Sequence, residues 1–237
     1  MSGHSHYATT KRQKELKDNA RGQVFSKLSR SITIAAKTGG GPDPDSNFKL
    51  RIAIDKAKAL SMPKENIDRA VSKGANSSEA FEEMMYEGFG PGGFSVLVEA
   101  ATDNKNRTSA EIRNLFEKNG GKVASPGAVS FNFEPKGLLV IKTEENKDEQ
   151  LLKLIDLGAE DVEEGESEME IYVSPNKLSE MQKKFTDNGI VVISSELMQK
   201  PKSFQDIPAE KVEQATSFLQ NFDDHDDVQE VYTNANF

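Results

Sequence analysis

GLLVIKTEENKDEQLLKLIDLGAEDVEEGESEMEIYVSPNKLSEMQKKFTDNGIVVISSELMQ, residues 137–199, carries two hydrophobic rhythms in a fixed order. Apolar, often branched side chains cluster at Leu138–Lys142, near Asp161, at Glu170–Val173 and at Val191–Leu197, which is the strand signature. Between them, Glu149–Leu157 and Pro175–Thr186 space their apolar residues by three and four, as a helix with one buried face requires. The order is β-α-β-β-α-β, the split β-α-β pattern of a ferredoxin-like domain. Such a unit can close its own core.

Outward from it, the chain has the same grammar on both sides. Phe94–Ala101 reads as a strand. Thr108–Lys118 reads as a helix, with Thr108 and Glu111 at capping-box spacing and Gly120-Gly121 as its stop; Val129–Phe133 reads as a further strand. On the C-terminal side, a helix at Ala209–Asn221 and a strand at Val228–Tyr232 have no partners nearby in sequence. They are therefore expected to complete the earlier half, so that residues 135–199 are an insertion in a discontinuous α+β domain of residues 79–134 and 200–237.

Residues 22–78 read differently. Val24, Leu28, Ile32 and Ala35 mark one helix. Leu50, Ile54, Ala57 and Leu60, capped by Asp45 or Ser46, mark a second, and Ile67, Ala70 and Val71, stopped by Gly74, a third. Residues 1–21 have almost no large apolar side chains and read as a flexible basic arm. The predicted fold is α+β: an N-terminal three-helix bundle plus two ferredoxin-like α+β domains, one inserted in the other.

Composition narrows the function. No run approaches the ~20 apolar residues of a membrane-spanning helix, and the N-terminus lacks the apolar core of a secretory signal. The chain has no cysteine, so it has no disulfides and no thiolate metal site, in keeping with a reducing, cytoplasmic compartment. The net charge of −9 hides a division: residues 1–75 hold 15 Lys+Arg against 7 Asp+Glu, while the remainder holds 15 against 32. A basic end on an acidic body suits a polyanion at one face only.

Catalytic and metal chemistry find little support. His4, His6 and His225 lack the spacing of a zinc site. Asp223, Asp224, Asp226 and Asp227 lack the alternation and distal glutamate of a calcium loop, and read as a solvated helix-to-strand turn. No nucleophile elbow occurs. A non-enzymatic protein without metal or cofactor is the expectation. Gly88-Phe-Gly-Pro-Gly-Gly93 fails as a phosphate loop because it precedes a strand and no Lys-Ser or Lys-Thr follows; it reads as a tight inter-domain hinge needing positive φ. The alternative there is backbone contact with a partner.

The strongest chemical signal is cationic. Lys11, Arg12, Lys14, Lys17, Arg21, Lys27, Arg30 and Lys37 stand among few acids, as phosphate neutralisation requires, although a solvated charged helix has the same composition. Thr102-Asp-Asn-Lys-Asn-Arg-Thr108 joins a strand to a helix start and brings Lys105 and Arg107 beside open backbone amides, where anions are favoured; simple turn and capping chemistry is the competing reading.

Gly3-His4-Ser5, the run Arg21 to Gly41 with Phe25, Lys27 and Ala35-Ala36, Ala53-Ile-Asp-Lys-Ala57, Met62-Pro-Lys64 with Asn66-Ile67, Tyr86-Glu-Gly-Phe-Gly-Pro-Gly-Gly93 and Asp103-Asn-Lys-Asn-Arg-Thr108 occur in order. Together they resemble the YebC/PmpR family. The resemblance implies three domains, one inserted in another. It also implies a cytoplasmic, DNA-binding transcriptional regulator, though family relatives include a mitochondrial translational activator of cytochrome oxidase. It carries Gly3, His4, Ser5, Arg21, Lys27, Asn104, Arg107 and Thr108 over as candidate nucleic-acid contacts. His6 and Tyr7 depart from the family's Lys-Trp at the end of the Gly-His-Ser-Lys-Trp start. Duplex DNA is thus the first expected partner. The alternative is ribosomal RNA on the ribosome, bound by a translation factor.

Overall fold

The computed structural model describes residues 18–76 and 81–237, apart from the side chains of residues 18–21 and 23. Three helices come first: α1 (Asp18–Thr38), α2 (Phe48–Ala59) and α3 (Lys64–Asn76). Leu28, Ile32, Ala35 and Ala36 of α1 meet Leu50, Ile54 and Ala57 of α2 and Ile67 and Ala70 of α3 in one core. The helical spacing of these residues is what gives each helix its single buried stripe.

Asn47, fully buried, fixes the first corner. Its side-chain oxygen accepts from Leu50 N at 3.0 Å, capping α2, while its amide donates to the carbonyls of Ala35 and Gly41 at 2.7 Å each. The cap is therefore Asn47, not Asp45 or Ser46. Asn can cap and close the preceding helix at once because it is both acceptor and donor. Gly74 does not stop α3 either. A Cβ there would lie 2.4 Å from the Thr33 carbonyl oxygen, so glycine is required for the helices to cross.

Two sheets follow. The first runs β3 (Lys122–Val123), β1 (Glu82–Phe89), β2 (Ser95–Thr102), β9 (Val228–Thr233), all antiparallel, under α4 (Lys105–Lys118) and α7 (Val212–Asp223). Alternate residues Phe94, Val96 and Val98 face Ile112 and Phe116 of α4 and Phe218 and Phe222 of α7. The Phe116 and Phe222 rings lie 4.7 Å apart. The second sheet runs β5 (Asp161–Glu164), β6 (Glu168–Val173), β4 (Phe133–Lys142), β7 (Val192–Pro201), also antiparallel, under α5 (Lys147–Leu157) and α6 (Leu178–Asp187). Leu139, Ile141 and Ile171 meet Leu154, Met181 and Phe185 there. Both sheets share one strand order once β1 is taken as the third strand of its unit, although it comes first in the chain. A short parallel pair, β8 (Gln205–Asp206) with β10 (Ala235–Asn236), finishes the C-terminus.

Three further local expectations change. The Gly88–Gly93 segment is not a hinge between domains: β1 extends through Phe89, and Gly90-Pro-Gly-Gly93 turns the β1–β2 hairpin, with Gly92 and Gly93 at φ 109° and 91°. Val129–Phe133 is mostly a single 3₁₀ turn, Ser130–Asn132, and strand pairing begins at Phe133. The buried Glu87 holds that turn, its carboxylate accepting from the amides of Gly127, Val129 and Ser130 at 2.7, 2.7 and 2.9 Å. Helix α4 starts at Lys105 under Asn104, whose side chain accepts from Arg107 N at 3.1 Å, so Thr108 is not its cap.

Candidate nucleic-acid interface

Gly3, His4, Ser5, Lys11, Arg12, Lys14 and Lys17 lie outside the described residues, as does the Arg21 side chain. The remaining candidates fall into two groups far apart in sequence: Lys27 and Arg30 on α1, and Asn104 to Thr108 at the start of α4. The fold brings Lys27, Arg30, Arg107 and Thr108 to one place, the turn between α7 and β9.

Asp227 is the centre of that place. Its side chain is only 4% exposed. It accepts from Thr108 Oγ1 at 2.6 Å and Arg107 Nη2 at 2.9 Å, and pairs with Arg30 Nη1 at 2.7 Å. Lys27 Nζ donates to the Asp223 carbonyl, and Arg30 Nη1 also donates to the Asp226 carbonyl at 3.1 Å. Helix α1 thus grips the turn with two cations one helical turn apart. The first turn of α4 grips the same carboxylate from the other side. An anion does sit beside the start of α4, as helix electrostatics favours, but it is supplied by the protein itself.

Burial would raise the Asp227 pKa. The Thr108 and Arg107 hydrogen bonds and the charges of Arg30 and Arg107 outweigh it and hold the carboxyl below its ordinary value. The same hydrogen bond and charge raise Arg107. Asp103, Glu111, Asp224 and Asp226 surround this pair in a depression of about 760 Å³, and would repel an incoming phosphate. The turn read as solvated therefore contains, among the described residues, the best-buried carboxylate contact between the bundle and a sheet domain. One signal was present in the sequence: an acidic run, Asp223-Asp-His-Asp-Asp227, complementary to the basic face of α1.

The ligand atoms of Glu111, His225 and Asp227 lie within 4.8 Å of one another, the grouping a metal ion would use. His225 Nε2 is 3.1 Å from Glu111, and its Nδ1 accepts from the Asp227 amide at 3.1 Å. Both imidazole nitrogens and both Asp227 oxygens are engaged, and two guanidinium groups already supply positive charge.

Lys56 ties the bundle to both sheets through Glu230 and, at 3.1 Å, Glu196, and Lys49 meets Glu83 at 3.1 Å. Lys105 is exposed, 3.9 Å from Glu82. Sequence reasoning missed Arg69 and Lys73 on α3. Both are exposed, with no ion pair or hydrogen bond among the described residues. No described helix is long and apolar enough to cross a membrane.

Residues 5–77 match the TACO1/YebC protein N-terminal domain, and residues 81–235 match the TACO1/YebC second and third domain. A "Probable transcriptional regulatory protein" of Lactiplantibacillus plantarum is 45% identical, covering 100% of this chain and 99% of that protein. One so named from Methylacidiphilum infernorum is 47% identical, covering 99% and 95%. The crystal structure of a conserved hypothetical protein from Aquifex aeolicus superposes with a TM-score of 0.84 at 42% identity, covering 92% of this chain and 91% of that one. With family models matching most of the chain and relatives this close over its full length, the protein belongs to the TACO1/YebC family.

Proposed function

We propose that this protein regulates gene expression, at the level of transcription, by binding duplex DNA through its phosphate backbone, without catalysing a reaction. The separation of charge carries this reading: a net of +8 in residues 1–75 against −17 in the rest. The acidic sheet domains repel a polyanion and confine contact to the basic end. The names of the relatives from Lactiplantibacillus and Methylacidiphilum point to the same level of control.

Lys11, Arg12, Lys14, Lys17 and Arg21 then neutralise phosphates, with Gly3, His4 and Ser5 at the tip of the contact and Lys105 at its edge. Lys27, Arg30, Arg107 and Thr108 serve differently: Arg30, Arg107 and Thr108 through Asp227, and Lys27 through the Asp223 carbonyl, hold α1 against the first sheet domain and so set the direction from which the basic segment meets DNA. Asn104 serves by capping α4. Replacing Lys11, Arg12, Lys14 and Lys17 together with glutamine tests the surface. The log–log salt slope of duplex binding should become shallower by about 4, one per lost phosphate contact. Unchanged affinity and slope would remove the basic segment as the DNA contact.

A further inference from the structure

Helices α1 and α3 cross at Gly74, and beside the crossing their facing stripes line a cleft of about 640 Å³. Asn66, Arg69, Ala70 and Lys73 come from α3, at the spacing that puts four residues on one face. Phe25, Ser26, Ser29, Arg30 and Thr33 come from α1, and Phe81 and Asp103 complete the wall.

The charges within this cleft are unevenly satisfied. Arg30 is held by Asp227, and Asp103 is paired with Arg107 at 3.1 Å. Elsewhere in the bundle Lys49, Lys56 and Lys58 each have a carboxylate partner. Arg69 and Lys73 have none among the described residues; even Glu65, four residues before Arg69 at the spacing that pairs charges, does not reach it. Two cations without a carboxylate partner among the described residues thus face a cleft that also presents the serine hydroxyls and the Asn66 amide, all able to donate to phosphate oxygens. Half-buried Phe25 and Phe81 add aromatic surface, with the Arg30 guanidinium 5.9 Å from the Phe81 centroid.

Shape selects the ligand. A duplex is read by a convex element entering its groove, and a hollow between two packed helices cannot do this. Cations interleaved with aromatic rings in a concave channel are the arrangement that takes an unpaired strand: phosphate on the cations, bases on the rings. We propose that the α1–α3 cleft binds an unpaired nucleic-acid strand, with a phosphodiester between Arg69 and Lys73 and an adjoining base against Phe25 or Phe81. This builds on the nucleic-acid reading above and assigns it a second surface, separate from the segment that meets duplex DNA.

The test measures the full chain by fluorescence anisotropy with labelled short oligo-dT, oligo-U and a mixed-sequence duplex. Arg69 and Lys73 are exposed and have no ion pair among the described residues, so the Arg69→Gln/Lys73→Gln variant should keep the wild-type melting temperature. It should lose at least tenfold in affinity for the single strands, with a salt slope shallower by about 1.4, and change duplex affinity less than threefold. Phe81→Ala should cost single-strand affinity at least fivefold with little change in salt slope, as lost stacking does. The ratio of oligo-dT to oligo-U affinity names the strand preferred. Single-strand affinity within twofold of wild type in the cation variant overturns the cleft, as does an equal loss for strand and duplex. Duplex binding by the wild type without single-strand binding overturns the cleft alone, and no binding of either probe overturns the parent reading too.

Discussion

Replacing Asp227 with asparagine keeps the shape of the side chain and removes its charge. Asparagine still offers one oxygen, but its amide group faces cations that need an acceptor. The Arg30 side chain, 23% exposed, is left beside a neutral group, and Thr108, buried, competes with Arg107 for the remaining oxygen. Removing one partner of a buried ion pair costs about 3–5 kcal/mol. Arg107 is 45% exposed and can return to water, so its share is small and the low end applies, roughly 3 kcal/mol. For a chain of this size that is a fall of about 6–12 °C in melting temperature at neutral pH, measured by calorimetry. The pH dependence adds a second check. A carboxyl whose folded pKa is lowered stabilises above its unfolded value and loses that contribution as pH falls through the folded one. Variant and wild type should therefore converge below the ordinary value of 3.8. A double-mutant cycle with Arg30→Met should give a coupling of at least about 1 kcal/mol. A fall of less than about 2 °C, or additivity within about 0.5 kcal/mol, would refute Asp227 as the clamp between bundle and sheet.

Other consequences follow from single side chains. Glu99, half-buried beside Tyr232 and raised to about 7 by its partial burial and by the charge of Glu230, binds its proton more tightly when folded. Stability should thus fall as pH rises from 4.5 to about 7, and Glu99→Gln should recover about 3 kcal/mol at pH above 7 and little at the acid end, read from urea titrations across pH. Glu87→Gln converts an acceptor of three amides into a group with one acceptor oxygen, and should cost roughly 2–3 kcal/mol and speed hydrogen exchange at Gly127, Val129 and Ser130. Unchanged exchange there would contradict its anchoring role. Gly74→Ala, which in an open helix would stabilise by about 1 kcal/mol, should instead destabilise by roughly 1–3 kcal/mol because its methyl meets Thr33. A rise in melting temperature would show that the crossing has slack.

The elements that were legible are those whose pattern is local. In residues 137–199, strand and helix periods alternate cleanly, and Gly158 and Gly189, at φ 106° and 76°, mark where two helices end. Strand β1 was hidden because Glu82-Glu-Met-Met-Tyr-Glu87 is half-exposed and does not alternate. Helix starts were displaced because Thr108, a good capping type, is used three-dimensionally: its hydroxyl goes to Asp227, 119 residues away, and leaves the cap to Asn104. The site shows the same limit. Arg30 and Arg107 have the composition of phosphate contacts, and only a fold that brings residue 227 between them reveals that their anion is internal. Arg69 and Lys73 escaped notice because a mixed helix with Glu65 and Asp68 looks self-neutralising until the side chains are placed.

The central claim, that the basic segment binds duplex DNA through phosphates, is tested most directly by the salt dependence of duplex affinity for the unmodified chain. Five cations from Lys11 to Arg21 predict saturable binding with a log–log slope of about −4.5, a loss of roughly 500-fold between about 50 and 200 mM salt. A slope shallower than about −1, or no saturable binding at the lowest salt, would contradict it.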